Sequence, residues 1–436
     1  MARPRSFIRE NYGFEQNPFP ATAIAQWGSS DERENGSLYS SEVVPKEYAE
    51  AIQKFVVGPI DSGSKFHFLW SLGEGDEARG FGKSVLLGHV AREIDVDLGR
   101  HVLLANEFDE KEADDTPVLA AMGTFNKNDV TGLAAVSLEQ TRYLAKLDPS
   151  SGKSPLMVLR DHFVRTLERN LPKTTASKDR LEAEAEAIRD QTRETNLSLG
   201  GKTLGSPDRR LLDHFANADW RALLTRLREA STKDGFELLS SSLIIARAAG
   251  VKRVLLFIDQ VEDFASADTP KKRRSLEVER FRDIAVETQP FGEMASYVLT
   301  MHPAAARAVE EYWSLARLPK MDHLSKQNER ITLILRPLKR MEDVETLLLA
   351  YMSRFRREGA FDPIHPFDRA AVAVLLDVRG GRPGHMLKLA HDLIEEGARN
   401  EWARIGEREA RSIAEDQQVE EEAPRPTRRR RIGTIE

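Results

Sequence analysis

Two stretches hold the residue types that handle a bound triphosphate: Gly80-Phe81-Gly82-Lys83-Ser84-Val85 and, far along the chain, Asp259-Gln260-Val261-Glu262-Asp263. Glycines let backbone N–H groups turn toward an anion, and a helix that starts at the end of such a turn adds the positive end of its dipole. An ammonium at Lys83 then reaches the β- and γ-phosphates, and the Ser84 hydroxyl is a ligand for Mg²⁺. Asp259 closes an apolar run and offers the same cation a carboxylate, directly or through water. Gln260 can orient an attacking water but is a poor base, and Glu262 is the better one, so both are candidates for that role. Thr300 closes a third apolar run and is a candidate for contact with the γ-phosphate or the water.

These residues need elements to hold them. Phe66, Phe68, Leu69 and Trp70 read as a buried strand feeding the glycine turn, and from Val85 onward the apolar spacing is that of a helix. The full pattern G-x-x-x-x-G-K-[ST] asks for glycine where this chain has Glu77, and the nearest candidates are Gly75 and Gly73, so the P-loop reads as a longer turn than usual. Val254 to Ile258 make the strand that ends in Asp259, at the carboxyl edge where open α/β sheets gather their ligand chemistry. His101 to Phe108 reads as a second buried strand, Ser296 to Pro303 and Ile331 to Leu338 as further ones. Strands alternating with helices predict a parallel α/β sheet.

Composition narrows the field. The chain has 436 residues, 40% hydrophobic and 31% charged, with a formal net charge of -6. That describes a folded chain with a charged surface and argues against bulk electrostatic binding to nucleic acid, though not against a local basic patch. With no cysteine, disulfides, thiolate metal sites and cysteine nucleophiles are excluded. No apolar run approaches membrane-spanning length, and the expected location is cytoplasmic, with no membrane partner.

In order, residues 1–50 read as an irregular N-terminal arm with aromatic anchors at Tyr12, Phe14 and Phe19, packing on a neighbouring domain or covering a nucleotide base. Residues 51–340 read as a P-loop core. Within it 130–250 is a helical insertion, in which Lys178 to Asn196 is charged nearly all round and reads as a solvated helix or hairpin arm. Lys271 to Arg274 is a short basic run. Residues 341–415 read as a helical lid, and 416–436 as an acidic-then-basic disordered tail whose basic half carries Arg425 and Arg428 to Arg431.

The arm YGFEQNPFP, the GFGKS turn, FIDQVEDF, VLTMHP, ITLILRPL and GGRPGHMLKLAHDLIEEGA together resemble the AAA+ ATPases of the origin-recognition and transposon target-selection type. DQVED also looks like the second motif of STAND-class signalling ATPases. The resemblance implies a P-loop NTPase core with a lid, ATP and Mg²⁺ as ligands, Lys83 and Ser84 as Walker A residues, Asp259 as Walker B and Thr300 as sensor 1. In the lid, Arg382 stands two residues before Gly384, which occupies the family's usual arginine position; Arg382 is the sensor-2 candidate. A trans-acting arginine finger is expected between the sensor-1 strand and Ile331, with Arg317 chosen over Arg307 and Arg330. The implied function is a slowly hydrolysing switch that self-assembles with nucleotide and acts on DNA or a DNA-bound partner. A protein partner would engage the insertion or the basic tail. The alternatives are a STAND-like signalling or defence ATPase and a nucleotide-binding scaffold with little turnover.

Overall fold

The computed structural model describes residues 4–23, 29, 31–72, 79–125, 132–149, 151–167, 177–200, 203–204, 207–261, 271–321, 326–359 and 361–422. Two compact units emerge, one of residues 25–336 and one in which residues 1–24 join residues 337–436.

The larger unit is built on five strands, β1 (Phe66–Ser71), β2 (Val118–Thr124), β3 (Arg253–Asp259), β4 (Ala295–Met301) and β5 (Thr332–Leu335). Every pairing is parallel and the order across the sheet is β2-β3-β4-β1-β5. The strands are mostly apolar because both faces are covered, as parallel sheets require. Alternate side chains serve two cores: Phe68, Trp70, Leu256, Ile258 and Leu299 face one, while Leu69, Leu255, Phe257 and Val298 face the other.

Helix α1 (Lys83–Asp97) follows β1 and sends Leu86, Leu87, Val90, Ala91 and Ile94 into the second core. The first core is covered by the long segment between β2 and β3 together with the helices Lys271–Glu287 and Pro303–Leu315. There α2 (Leu133–Ala145) and α3 (Gly235–Ala248) touch backbone to backbone, since a Cβ on Gly235 would fall 1.8 Å from the Ala134 carbonyl oxygen.

Three expectations are corrected. The segment HVLLANEF is not a strand: Leu98 and Gly99 turn in the left-handed region and a short helix, Arg100–Leu104, follows. The second strand is instead VLAAMGT, β2, whose small residues give a weak strand signal. Those residues are needed because α2 lies close: a Cβ on Gly123 would sit 2.7 Å from the Val136 carbonyl oxygen.

Nor is the charged stretch of the insertion a solvated arm. The helix Ser177–Ser198 buries Ala185 and Ile188 in the first core, with Thr192 and Thr195 buried at the same helical spacing. Its Glu184 is itself buried, 3.0 Å from Arg180 and 3.7 Å from Arg160. Short alanines let one narrow seam pack while the rest of the surface stays charged. Finally, the acidic residues from 416 to 422 are helical, continuing Glu407–Glu422; the arginines of the tail lie outside the described residues.

In the smaller unit the N-terminal segment packs on C-terminal helices. Tyr12 Oη donates to the Trp402 carbonyl at 2.8 Å, and Asn17 Nδ2 to the His391 carbonyl at 3.0 Å. Tyr12, Phe14 and Phe19 are fully buried. The C-terminal helices described there are Met341–Phe355, Arg369–Val378, Pro383–Arg399 and Glu407–Glu422, and the N-terminal segment adds the short helical turns Pro4–Phe7 and Ile8–Tyr12.

Candidate functional site

The carboxyl ends of β1, β4 and β3 lie side by side, and the polar residues that close those strands meet there. On β1 this is Ser71, fully buried. Ahead of α1, Gly80 and Gly82 have φ of 79° and 83°. Gly82 caps α1, and an added Cβ there would meet nothing within 4 Å. The glycine is demanded by backbone conformation, which leaves the space over the helix start open. Phe81 packs against the second core and anchors the turn.

Lys83 and Ser84 begin α1, and Val85 follows in its first turn. Lys83 Nζ donates to Ser71 Oγ at 2.5 Å. The Ser84 hydroxyl donates to Asp259 Oδ2. The other oxygen of Asp259 takes the Thr300 hydroxyl at 2.7 Å and the Gln260 N–H at 2.9 Å, and that N–H is also 3.0 Å from Thr300 Oγ1. Asp259 and Thr300 are 4% and 1% exposed, so the carboxylate is held by donors on every side that solvent does not serve. Gln260 sits at φ 57°, a left-handed conformation for a residue with a side chain, at the point where β3 ends.

One connected cluster therefore joins Ser84, Asp259, Gln260 and Thr300, with Lys83 held close by on Ser71. Ser71 is the member that sequence reading missed. Its signal was the first small polar residue at the end of FHFLWS, on the edge where ligand chemistry gathers. Glu262, Asp263, Glu77, Gly73 and Gly75 lie outside the described residues. Arg317 stands outside the cluster: it is exposed, at φ 55°, just beyond the helix Pro303–Leu315. Arg382 belongs to the smaller unit, where it caps the helix Pro383–Arg399 and donates its Nε to the Arg379 carbonyl at 3.2 Å.

The donor set fits a triphosphate with Mg²⁺. Ser84 and Asp259 offer hard oxygen donors at one point, the pairing of hydroxyl and carboxylate that a cation retaining several waters accepts. Among the described residues no group of three His, Asp or Glu side chains gathers as an all-protein metal cage. No described helix is long and apolar enough to cross a membrane.

The five-stranded parallel sheet covered by helices is an α/β fold, with the glycine turn at the start of α1 and the acid at the end of β3 on its carboxyl edge, a long helical segment between β2 and β3 and further helices after β5. No protein-family model matches the chain, and no curated protein matches it. Among solved structures, the ORC2 protein of Aeropyrum pernix, solved as ADPNP-ADP complexes, is similar with a TM-score of 0.44 and 13% identity, over 88% of this chain and 71% of that one.

Proposed function

We propose that this protein binds ATP with Mg²⁺, hydrolyses it slowly, and uses the nucleotide state as a switch that assembles copies of the chain and acts on DNA or a DNA-bound partner. The observation that carries the nucleotide reading is the Ser84–Asp259–Thr300 cluster, with Asp259 and Thr300 buried, beside Lys83 at the carboxyl edge of three adjoining strands.

In this reading Lys83 exchanges the Ser71 hydroxyl for β- and γ-phosphate oxygens, which are stronger acceptors for an ammonium. Backbone N–H groups of Gly80 to Val85 surround the phosphates. Ser84 and Asp259 would hold Mg²⁺, whose contribution when bound is to neutralise phosphate charge. Thr300 keeps the Asp259 carboxylate oriented and stands where a γ-phosphate or its water arrives. Gln260 orients that water but removes no proton efficiently, which makes turnover slow; Glu262 is the base if turnover is fast. Low turnover is also what the scaffold alternative requires, and Gln260 after the acid supports it.

The switch, assembly and DNA parts rest on the sequence resemblance, with Arg317 as the trans-acting finger and Arg382 as the sensor-2 arginine. The basic residues that DNA phosphates would meet are first the tail arginines; Lys271 to Arg274, at the start of the helix Lys271–Glu287, read by default as a surface charge cluster and come second. Mass photometry without nucleotide, with ADP and with a non-hydrolysable ATP analogue, each with and without duplex DNA, tests them. Assembly only with the analogue, enlarged on DNA, is expected. Assembly indifferent to DNA would favour the signalling reading, and a single copy throughout would overturn the switch.

A further inference from the structure

The amino edge of the sheet, at the far end of the strands from the Lys83–Asp259 cluster, gathers cations. β4 enters the sheet from the short helix Phe291–Met294, and basic side chains from three parts of the chain converge on the turn at Gly292 and Glu293. Lys65, just ahead of β1, donates its Nζ to the Gly292 carbonyl. Arg253, the first residue of β3, donates Nη1 to the Glu293 carbonyl at 3.1 Å. Since β4 lies between β3 and β1, these two cations flank its entry and reach consecutive carbonyls. Arg247, in the last turn of α3, pairs with the Glu293 carboxylate.

The charges there do not balance. Among the described residues Glu293 is the acid that pairs with any of the three, and Arg247 takes it; Lys65 and Arg253 bond to backbone carbonyls alone. Their exposed neighbours in the chain, Lys252 and Asp61, cancel each other. Two positive charges remain. Burial, and then the charge of Arg253, holds the Lys65 ammonium below its ordinary range against the pull of Glu293, and burial lowers Arg253 as well. Both cations are thus partly stripped of water and in electrostatic reach of each other. The space beside them is open: the exposed loop before β1 turns at Gly63, φ 64°, where an added Cβ would meet only Arg253 Nη2, at 3.7 Å.

We propose that this edge is a second anion site, for a phosphate dianion, free or carried as a monoester, held between the Lys65 ammonium and the Arg253 guanidinium beside Gly63. A phosphate group at neutral pH carries close to the two charges left over, and its oxygens serve a guanidinium and an ammonium together. Nothing at this edge depends on the nucleotide cluster, because Arg253 and Asp259 are the two ends of β3, about 20 Å apart at the usual rise per residue.

Inorganic phosphate, followed by ³¹P line broadening, and phenyl phosphate, followed by saturation-transfer NMR with phenol as comparison, test the site. Both are titrated at constant ionic strength into the full chain carrying Lys83→Ala, so that the nucleotide cluster does not contribute. Saturable binding at about 10 mM or tighter is expected, with none for phenol. In that background Lys65→Gln should weaken binding at least about tenfold. Lys233→Gln, the same change of charge at an exposed lysine just before α3, whose opposite end carries Arg247, should leave it unchanged. Gly63→Asp sets a carboxylate beside Arg253 and should also weaken binding at least about tenfold, whereas Gly63→Asn, of the same shape and equally tolerant of a left-handed backbone, should not. Binding of inorganic phosphate makes the free ion sufficient, and binding of phenyl phosphate alone identifies a monoester. Saturation by neither probe, equal affinity of Lys65→Gln and its parent, or equal affinity of Gly63→Asp and Gly63→Asn would overturn the site.

Discussion

Asp259 accepts three donors while almost wholly buried: the Ser84 hydroxyl, the Thr300 hydroxyl and the Gln260 N–H. An Asp259→Asn variant keeps the shape but exchanges one acceptor for a donor, so a hydroxyl loses its partner. We expect a loss of about 1–3 kcal/mol in urea unfolding. The sharper expectation is that nucleotide affinity no longer responds to Mg²⁺; an affinity that still rises on adding Mg²⁺ would remove Asp259 from the metal site. A second residue sets an acid limit. His67 of β1 is fully buried, with Nε2 3.0 Å from Ser64 Oγ, and burial lowers its pKa to about 4. Because the folded value lies below the ordinary one of about 6.5, the unfolded chain takes the proton first. Stability is therefore complete above about pH 6.5, declines as pH falls toward about 4, and loses about 3 kcal/mol over that window. His67→Gln should flatten this part of the stability profile, measured by urea unfolding at stepped pH.

At the scale of elements, close backbone approach decides what the sequence can contain. Gly235→Ala would drive a methyl into the Ala134 carbonyl oxygen at the α2–α3 contact, and we expect it to cost about 2 kcal/mol or more. Gly152→Ala, at φ 66° with nothing within 4 Å of the added carbon, carries only backbone strain and should cost about 1 kcal/mol. Equal losses in the two variants would remove crowding as the cause. The same crowding explains which elements were legible. β1, β3 and β4 announce themselves by runs of large apolar residues that close on a polar one, and Asp259 and Thr300, read from sequence at two of those ends, meet Ser84 of α1 in space. β2 was hidden because Ala121 and Gly123 are small to admit α2, and its neighbour HVLLANEF, richer in leucine and valine, drew the strand assignment. Ser71 went unread because a serine at a strand end has no motif of its own, and its role as acceptor for Lys83 exists only once β1 and α1 are side by side. The insertion's part in the core was unreadable for a related reason: a seam of Ala185 and Ile188 is too narrow to show through the charges around it.

At the scale of the molecule, residues 1–24 and 337–436 make one unit although they are the two ends of the chain. Tyr12, Phe14 and Phe19 bury entirely there, each worth a few kcal/mol on the usual area scale. Removing residues 1–20 should strip hydrogen-exchange protection from Pro383–Arg399 while the five strands keep theirs; protection unchanged in that helix would show that the N-terminal segment is dispensable to the unit. The larger unit carries the central claim, that Lys83 and its neighbours bind ATP. Calorimetric titration of the wild type and of Lys83→Ala with a non-hydrolysable ATP analogue and Mg²⁺ tests it most directly. Loss of the charge-assisted contacts of the ammonium is worth about 2–3 kcal/mol, so the variant should bind about 100-fold more weakly or not measurably. Analogue binding that is equally tight in both proteins would contradict the account.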